Sequence, residues 1–326
     1  MGTYFLTGAT GFIGSRVARQ LIEDNHDVFA IARDPARATD LNALGVRVVP
    51  GDVTDAESLR SPMTGVDGVF HLAGWYRVGA RDKTPARRVN IEGTRNVLQM
   101  VRELDIPRCV YTSTLAINGD THGVLVDESY TYRGPGLSEY QRSKWIAHCE
   151  IAEPMMRAGL PLTIVQPGAV YGPGDPSPQG QLLRQYLRRR LPIVPSGTAF
   201  CWAHVEDTAR GHLLAMQRGR TGESYILAGQ PATLQEVLRF AERMTGVPVP
   251  RLHPSPGLLK AVASVMGVVE RFVPVPDNYS AEYLRVGAGA TYLGTNAKAR
   301  RELGYAPRPL EEGLRETLLY EMAHLG

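Results

Sequence analysis

The chain has little cysteine and little net charge, and each shortage excludes a class of protein. Its 326 residues include three cysteines, Cys109, Cys149 and Cys201, an odd number without CxxC spacing. We therefore expect neither a disulfide framework nor a metal site. The formal net charge is only +3 and the densest basic run is 188–190, so nucleic acid is not an expected partner.

Long apolar runs are also missing. Residues 4–6 read as a short strand leading into a glycine loop, so we expect no signal peptide. The most apolar later stretch, 257–273, is interrupted by Lys260, Glu270 and Arg271 and is short for a membrane span. We expect a cytoplasmic protein without stable membrane insertion. The same stretch leaves open a hydrophobic substrate or a loose membrane contact.

The first half alternates short apolar runs with helical patterns, which predicts an α/β protein with a doubly wound parallel (Rossmann) sheet. After residue 166 this rhythm breaks at a stretch rich in glycine and proline. We predict a Rossmann domain at 1–170 and a smaller, mostly helical substrate lobe at 171–326, with 203–217 as a candidate to return to the sheet. The predicted strands are 4–7, 28–32, 46–50, 68–72, 108–112 and 162–166, and the predicted helices are 12–25, 56–63, 86–104 and 138–158.

Three glycines, Gly8, Gly11 and Gly14, follow the first predicted strand and open the first helix. The first permits a tight turn, the next lets the backbone approach a pyrophosphate, and the last permits close packing of helix on strand. The helix N-terminus would then direct free N–H groups at the phosphates. In this context the pattern predicts a dinucleotide-binding loop, with a simple tight turn as the alternative.

The end of the second predicted strand bears on the choice of dinucleotide. An acidic residue there would bind a ribose 2′-hydroxyl, whereas a cation suits a 2′-phosphate. The first charged residue is Arg33, and Arg37 follows a turn later. These cations favour NADP(H), although Asp34 keeps NAD(H) open.

Tyr140 and Lys144 are one turn apart on the predicted helix 138–158. A free tyrosine has a pKa of about 10, too high for a base at neutral pH. A nearby ammonium and an oxidised nicotinamide would favour the phenolate, and in the reverse direction Tyr140 would protonate a carbonyl oxygen. A surface pair on a polar helix is the alternative. The hydroxyls at 112–114 end the fifth predicted strand, at the sheet edge that faces ligands.

Several stretches resemble the extended branch of the short-chain dehydrogenase/reductase superfamily, which includes NAD-dependent epimerase/dehydratase and dihydroflavonol-4-reductase-like proteins. The loop has GxxGxxG spacing, and the resemblance covers nearly the whole chain. GDVTD at 51–55 resembles the segment whose aspartate contacts adenine, HLAG at 71–74 the motif lining the cofactor cleft, and VNIEGT at 89–94 the segment with a structural asparagine. HVED at 204–207 and RELGY at 301–305 are also typical of the branch.

The resemblance implies roles for individual residues. Alignment with the family's serine or threonine favours Thr114 as the third catalytic residue, with Ser113 second, beside Tyr140 and Lys144. Lys144 is also expected to hydrogen-bond the nicotinamide ribose. The expected cofactor-binding residues are Gly8, Thr10, Gly11, Phe12, Ile13, Gly14, Arg33, Arg37, Asp52, Val53, Leu72, Ala73, Gly74, Thr112, Tyr140, Lys144, Pro167 and Val170.

The chain departs from the family pattern in three places. Leu115 and Ala116 stand where water-eliminating relatives often carry Asp-Glu, which argues against dehydration. Asn118-Gly119 replaces the Tyr-Gly common in sugar-nucleotide epimerases. His148 stands where a glutamate is frequent, and we predict it to be a helix-surface residue without a catalytic role.

Aromatic residues are candidates for the substrate pocket, namely Trp75, Tyr76, Tyr171 and Trp202, with Cys201 beside them. Core packing explains each of them equally well. No cluster suggests a grip on a diphosphate, so a flat or apolar carbonyl compound is allowed. Within the branch, 75–77, 80–82 and 209–214 resemble the bacterial group that includes hopanoid-associated sugar epimerases.

Three functions for a small-molecule substrate remain. The first is an NADP(H)-dependent carbonyl reductase or alcohol dehydrogenase. The second is an NAD(P)-dependent sugar or sugar-nucleotide epimerase with transient oxidation. The third is a non-catalytic NADP sensor, against which the set Tyr140, Lys144 and Thr114 argues. Apolar positions on helices 86–104 and 138–158 permit a homodimer without requiring one.

Overall fold

The structure is a computed structural model that describes residues 1–132, 134 and 136–325, without the side chain of Asn278. Its strands in chain order are β1 (Thr3–Thr7), β2 (Asp27–Ala32), β3 (Arg47–Pro50), β4 (Gly68–His71), β5 (Cys109–Thr112), β6 (Leu162–Pro167), β7 (Ala169–Tyr171), β8 (Ala199–His204), β9 (Ser224–Leu227), β10 (Gln230–Thr233) and β11 (Thr291–Tyr292). Its helices are α1 (Phe12–Glu23), α2 (Thr39–Ala43), α3 (Glu57–Met63), α4 (Thr94–Glu103), α5 (Glu139–Trp145), α6 (Glu153–Arg157), α7 (Pro178–Leu187), α8 (Val205–Arg218), α9 (Leu234–Thr245), α10 (Pro256–Val269), α11 (Ala281–Gly287), α12 (Ala297–Leu303) and α13 (Leu310–Ala323).

The main sheet has the strand order β3-β2-β1-β4-β5-β6-β9, and each neighbouring pair is parallel. Successive side chains of a strand point to opposite faces, so a strand covered on both sides is apolar throughout. Phe5 and Leu6 on β1 illustrate this, because both are fully buried but belong to different hydrophobic cores. The predicted Rossmann fold is confirmed.

The chain returns to this sheet after leaving it. Strand β9 adds to the edge at β6, and α8 packs on α1 in the core that holds Val17, Ala209 and Leu213. The segment 203–217 that we singled out overlaps α8. Strand β9 was not predicted, since it lies alone beyond the break in the βα rhythm. The domain boundary at residue 170 stays a prediction.

The C-terminal lobe combines helices with a small second sheet. In that sheet β8 pairs with β10 antiparallel and with β7 and β11 parallel. Helices α7, α9 and α13 pack on it around a separate core that includes Leu183, Leu238 and Leu314. Sequence patterns indicated helices here but not the sheet. In the part of the chain that the structure describes, no helix is long and apolar enough to cross a membrane.

The helix predicted at 138–158 consists of α5, a π-helical stretch at Ile146–Ala152 and α6. Ser138 begins it, because its hydroxyl accepts a hydrogen bond from the backbone N–H of Gln141 at 3.1 Å. The π-helical stretch precedes Pro154, which has no N–H to donate to the preceding turn. This helix carries Tyr140 and Lys144 toward the end of β5.

Candidate active site

The glycine loop between β1 and α1 has room only for glycine at two of its positions. Gly8 has φ +73°, and a Cβ there would lie 2.6 Å from the backbone nitrogen of Ala73. A Cβ on Gly14 would lie 2.1 Å from the carbonyl oxygen of Gly8. The first turn of α1 has neither an acidic residue nor a side-chain cap, so its N–H groups remain available for an anion. This cradle fits the pyrophosphate of a dinucleotide.

A buried hydrogen-bonded chain fixes the neighbouring strand end. The Ala73 backbone N–H donates to Thr7 Oγ1 at 3.1 Å, and Thr7 Oγ1 lies 2.7 Å from His71 Nδ1. His71 Nε2 lies 3.1 Å from Thr94 Oγ1. Burial, and then the charge of Lys144, lower the pKa of His71 to about 3, so the ring is neutral. A neutral ring donates through one nitrogen and accepts through the other, so one of the two threonine hydroxyls donates to His71 and the other accepts from it. Neither threonine was predicted as part of the site.

Asn90 joins the loop after β4 to the helix that carries Tyr140. Its Oδ1 accepts from the backbone N–H of Trp75 at 2.7 Å, and its Nδ2 donates to the Trp75 carbonyl at 3.0 Å. The same Nδ2 donates to Ser143 Oγ at 2.9 Å, and Ser143 Oγ donates to the Tyr140 carbonyl at 3.0 Å. Asn90 and Ser143 are fully buried. The loop that carries the pocket aromatics is thus held at a fixed position relative to Tyr140.

Tyr140 meets one of its predicted catalytic partners, Thr114, and one of the predicted pocket aromatics, Tyr76. Its hydroxyl hydrogen-bonds with Thr114, whose Oγ1 also accepts from the Ala116 N–H at 3.2 Å. The ring of Tyr76 packs edge-on against Tyr140, with 4.6 Å between centroids. Burial raises the pKa of Tyr140 to about 12, and the hydrogen bond with Thr114 lowers it. This direction is opposite to the shift toward phenolate that the spacing suggested, so Tyr140 is a neutral phenol here.

Lys144 lies against the strand end. Its Nζ donates to the Thr112 carbonyl at 2.7 Å and to Tyr111 Oη at 3.1 Å, and it lies 4.7 Å from the centre of the Tyr111 ring. Burial lowers the pKa of Lys144 to about 7. Thr112 contributes only this carbonyl, because its hydroxyl is 3.0 Å from His212 Nε2 on α8.

Ser113 and His148 differ from their predicted roles. His148 is buried, and its Nδ1 lies 2.8 Å from Ser113 Oγ, while its Nε2 lies 3.3 Å from a carboxylate oxygen of Glu153. The carboxylate only accepts, so Nε2 carries a proton and donates to Glu153. The hydrogen bond from His148 is the main cause that lowers the pKa of Glu153. The prediction that His148 lies on the helix surface was wrong. The Ser113 hydroxyl contacts His148, whereas Thr114 provides the hydroxyl that hydrogen-bonds with Tyr140.

Other residues predicted to bind the cofactor follow β2 and β3, away from Tyr140. Arg33 and Arg37 are exposed, whereas the Asp34 carboxylate accepts from the Ala36 N–H at 3.2 Å within its own turn. The Asp52 carboxylate accepts from the Thr54 N–H at 2.9 Å and shapes the loop after β3. The other residues predicted to bind the cofactor differ in solvent exposure. Thr10, Gly11 and Gly74 are exposed, Phe12, Ile13, Leu72, Ala73 and Val170 are half-buried, and Val53 and Pro167 are buried.

Two of the four predicted pocket aromatics belong to the core of the C-terminal lobe. Tyr171 and Trp202 are 1% and 2% exposed. The Tyr171 hydroxyl donates to the Leu310 carbonyl at 3.3 Å, and the Trp202 indole N–H donates to the Ala232 carbonyl at 3.0 Å. With their polar atoms already bonded and their rings packed, they are core residues and not pocket walls, which corrects that prediction. Trp75 is half-buried and Tyr76 exposed at the cleft.

Among the described residues no group of three or more histidine, cysteine or acidic side chains is placed to hold a metal ion. The candidate site consists of the glycine loop, the buried strand ends and Tyr140 with Thr114. This arrangement can bind a dinucleotide and transfer a proton beside it.

Comparison with known proteins agrees with this geometry. Residues 4–228 match the model of the NAD dependent epimerase/dehydratase family. A Synechocystis protein, named provisionally as a dihydroflavonol 4-reductase, is 37% identical over 258 residues, 76% of this chain and 74% of the relative. Sterol demethylase protein B of Methylococcus capsulatus is 32% identical over 314 residues, 94% of each chain. The crystal structure of gox2253 superposes with a TM-score of 0.86 at 31% identity, covering 99% of both chains. The chain therefore belongs to the NAD dependent epimerase/dehydratase family and is a nicotinamide-dependent enzyme of the extended short-chain dehydrogenases/reductases.

Proposed function

We propose that this enzyme is an NADP(H)-dependent carbonyl reductase, or in reverse an alcohol dehydrogenase, that acts on an apolar ketone or secondary alcohol. The observation that carries the proposal is the neutral Tyr140 hydroxyl, bonded to Thr114 and covered edge-on by Tyr76. A bound nicotinamide would supply or accept the hydride. The chain's own groups then handle the proton and the placement of the substrate.

The high pKa of Tyr140 suits reduction. At neutral pH the phenol is protonated, so it can give its proton to a carbonyl oxygen as negative charge develops there. The Ala116 N–H holds Thr114 Oγ1 as an acceptor, so the threonine hydroxyl is directed rather than free to rotate. A directed hydroxyl stabilises developing charge better than one that must reorganise.

An aromatic entrance supports an apolar substrate. Tyr76 packs against Tyr140, and Asn90 fixes its loop through both backbone polar groups of the neighbouring Trp75. Two relatives have names that point to substrates of this kind: the sterol demethylase protein, and a 4-hydroxy-2-methyl-3-oxo-4-farnesyl-3,4-dihydroquinoline-1-oxide ketoreductase of Stigmatella aurantiaca, 31% identical over 93% of this chain and 92% of its own. These names favour a carbonyl on a large apolar skeleton.

Exposed arginines support NADP(H). Arg33 and Arg37 follow β2, where a 2′-phosphate would need cations, and one oxygen of the neighbouring Asp34 carboxylate accepts a hydrogen bond within its own turn. Replacing Arg33 by Glu should weaken NADPH binding on the order of tenfold and leave NADH binding nearly unchanged. Fluorescence titration of both cofactors measures this. The exposed Arg102, changed to Glu, is the matched control, and equal losses for NADPH and NADH would contradict the preference.

The function is tested by mixing the purified enzyme and NADPH with cyclic and long-chain ketones, flavanonols and sugar nucleotides. Oxidation of NADPH in step with formation of an alcohol is the expected result. A sugar nucleotide altered without net oxidation would instead establish the epimerase. Cofactor binding that is equally tight in Tyr140→Phe, with no substrate consumed by either protein, would leave only the sensor.

A further inference from the structure

Glu282 on α11 is a buried acid that belongs to none of the groups described above. One carboxylate oxygen accepts from the Gly79 N–H at 3.3 Å and from the Glu139 N–H at 3.2 Å. The other oxygen accepts from Lys83 Nζ at 2.9 Å. A buried carboxylate is unfavourable unless its oxygens are paired. Both oxygens of Glu282 are paired, and the three donors come from two segments in the first half of the chain.

The two backbone donors belong to segments that carry aromatic side chains of the candidate site. Gly79 lies in the loop after β4, three residues beyond Tyr76, and Glu139 directly precedes Tyr140 on α5. The Tyr76 and Tyr140 rings pack edge-on, with 4.6 Å between centroids. One oxygen atom of α11 therefore bonds both of the segments whose rings meet in this contact.

The loop also packs closely on the start of α11. Gly79 has φ +82°, and a Cβ there would lie 2.2 Å from Ser280 Oγ and 2.4 Å from the Asp277 carbonyl oxygen. Only glycine permits this conformation and this close an approach. Ser280 is held in turn, because its hydroxyl accepts from the Tyr283 N–H at 3.1 Å at the beginning of α11. The loop backbone thus contacts a fixed part of α11.

The two backbone bonds of Glu282 matter more than its ion pair. The Lys83 side chain is 51% exposed, and an ion pair with an exposed partner contributes little. The backbone N–H groups have fixed directions, and that of Glu139 lies in the first turn of α5, where N–H groups have no partner within the helix. These two donors require an acceptor oxygen at the right reach, with or without a charge.

We propose that Glu282 is a positioning residue, which sets the place of Tyr76 relative to Tyr140 through its two backbone bonds. The inference rests on the proposed reductase, in which these two rings border the carbonyl group that is reduced. Helix α5 has several buried residues, whereas Tyr76 in the loop is exposed. Loss of the two bonds should therefore displace the loop, and with it the ring that borders a large apolar substrate.

Two conservative changes separate the reach of the oxygen from its charge. Glu282→Gln keeps an acceptor oxygen at the same reach and loses the charge. Glu282→Asp keeps the charge but is one methylene shorter, so its oxygens fall short of the two N–H groups. We expect Glu282→Gln to behave like the unaltered protein and Glu282→Asp to lose the positioning. A role for the charge alone predicts the reverse order.

Hydrogen exchange followed by mass spectrometry measures the positioning without a substrate. In Glu282→Asp, peptides covering 72–85 and 136–145 should both exchange on the order of tenfold faster, as expected from the loss of hydrogen bonds to a charged group. Glu128, whose carboxylate accepts from the Ile226 N–H at 2.8 Å on β9, is the matched control, and Glu128→Asp should leave both peptides unchanged. Faster exchange in only one peptide, or equal exchange in Glu282→Gln and Glu282→Asp, overturns the proposal.

Steady-state kinetics test whether this position matters to the reaction. In Glu282→Asp the KM for a large apolar ketone should rise about fivefold, with kcat and NADPH affinity within about twofold, because only the placement of the substrate changes. In Tyr76→Ala the same change should add little, since the ring to be placed is gone. An unchanged KM in Glu282→Asp despite faster exchange would overturn the proposal. Protein that reduces no ketone contradicts the proposed reaction instead, and the exchange experiment still decides whether Glu282 positions the two segments.

Discussion

The buried part of the candidate site and its exposed edge are built from different contacts. We call the first the floor and the second the mouth. On the floor, Thr7, His71 and Asn90 are fully buried and each polar atom discussed above has a partner. At the mouth, Tyr76 is exposed and packs edge-on against the Tyr140 ring. A buried polar network tolerates little change because an unpaired group is costly, whereas apolar contacts are interchangeable. The floor therefore suits chemistry common to a family, and the mouth suits selection of substrate.

The strongest contrast comes from Tyr140→Phe. The change removes only the hydroxyl that we propose as the proton donor, so turnover should fall by about 10³-fold for every substrate, while NADPH affinity stays within about threefold. Steady-state kinetics with cofactor titration measure both. Tyr130→Phe at an exposed tyrosine is the control and should behave normally. Turnover retained in Tyr140→Phe would remove Tyr140 from the chemistry.

Changing Gly14 to Ala tests the floor at its cofactor end. The new Cβ would lie 2.1 Å from the Gly8 carbonyl oxygen, so the loop must move. We expect NADPH affinity to fall on the order of a hundredfold and stability to fall by about 1–3 kcal/mol. Cofactor titration and urea unfolding measure these. Gly257→Ala, where a Cβ meets open space, is the control, and a wild-type NADPH affinity in Gly14→Ala would show that the cradle is not the binding site.

Replacing Tyr76 by Ala tests the mouth. Losing this aromatic wall should raise KM for a large apolar ketone about tenfold, with a smaller effect on a small ketone and none on NADPH affinity. Kinetics with the two ketones, and with Tyr130→Ala as control, separate these effects. A uniform loss of kcat for both ketones would place Tyr76 with the floor and abolish the contrast.

The smallest effect concerns acid stability. Burial lowers the pKa of His71 to about 3 and that of His212 to about 4. In the unfolded chain both histidines have a pKa of about 6.5. Between these pH values the unfolded chain binds protons at both rings, whereas the folded protein keeps the rings neutral. Stability should therefore fall as pH drops below about 6.5, by up to about 2 kcal/mol per histidine at pH 5.

Urea unfolding at pH 7 and pH 5 measures this loss. His212→Gln should show a shallower dependence on pH than the unaltered protein, whatever its stability at pH 7. His253→Gln, at an exposed position, should keep the full dependence. An unchanged slope in His212→Gln would mean that this ring does not contribute.

Local patterns predicted the first half of the fold because its signals are local. Each of the first six strands of the sheet was placed within about a residue at either end, since a buried parallel strand is a short apolar run between turn residues. The second sheet was missed because β8 pairs with β10 and with β11. Strand β11 has only two residues and lies about ninety residues after β8 in the sequence. No local pattern encodes such a pairing.

The site divides in the same way. Gly8, Gly14 and Tyr140 followed from spacing, because a turn that excludes Cβ atoms and a helix face are properties of neighbouring residues. His148, Tyr171 and Trp202 did not, since their burial depends on what packs over them. The shift of the Tyr140 pKa to about 12 likewise follows from burial and not from the spacing to Lys144.

Sequence patterns alone predicted the Rossmann fold and the glycine loop, because short-range sterics and periodicity fix both, and they also nominated Tyr140 as the proton donor. Only the tertiary structure decided that Lys144 contacts Thr112, that Ser113 pairs with His148, and that Tyr171 and Trp202 lie in the core of the C-terminal lobe. These features arise where distant segments meet, and burial, charge and hydrogen-bond partners are set only when those segments pack together.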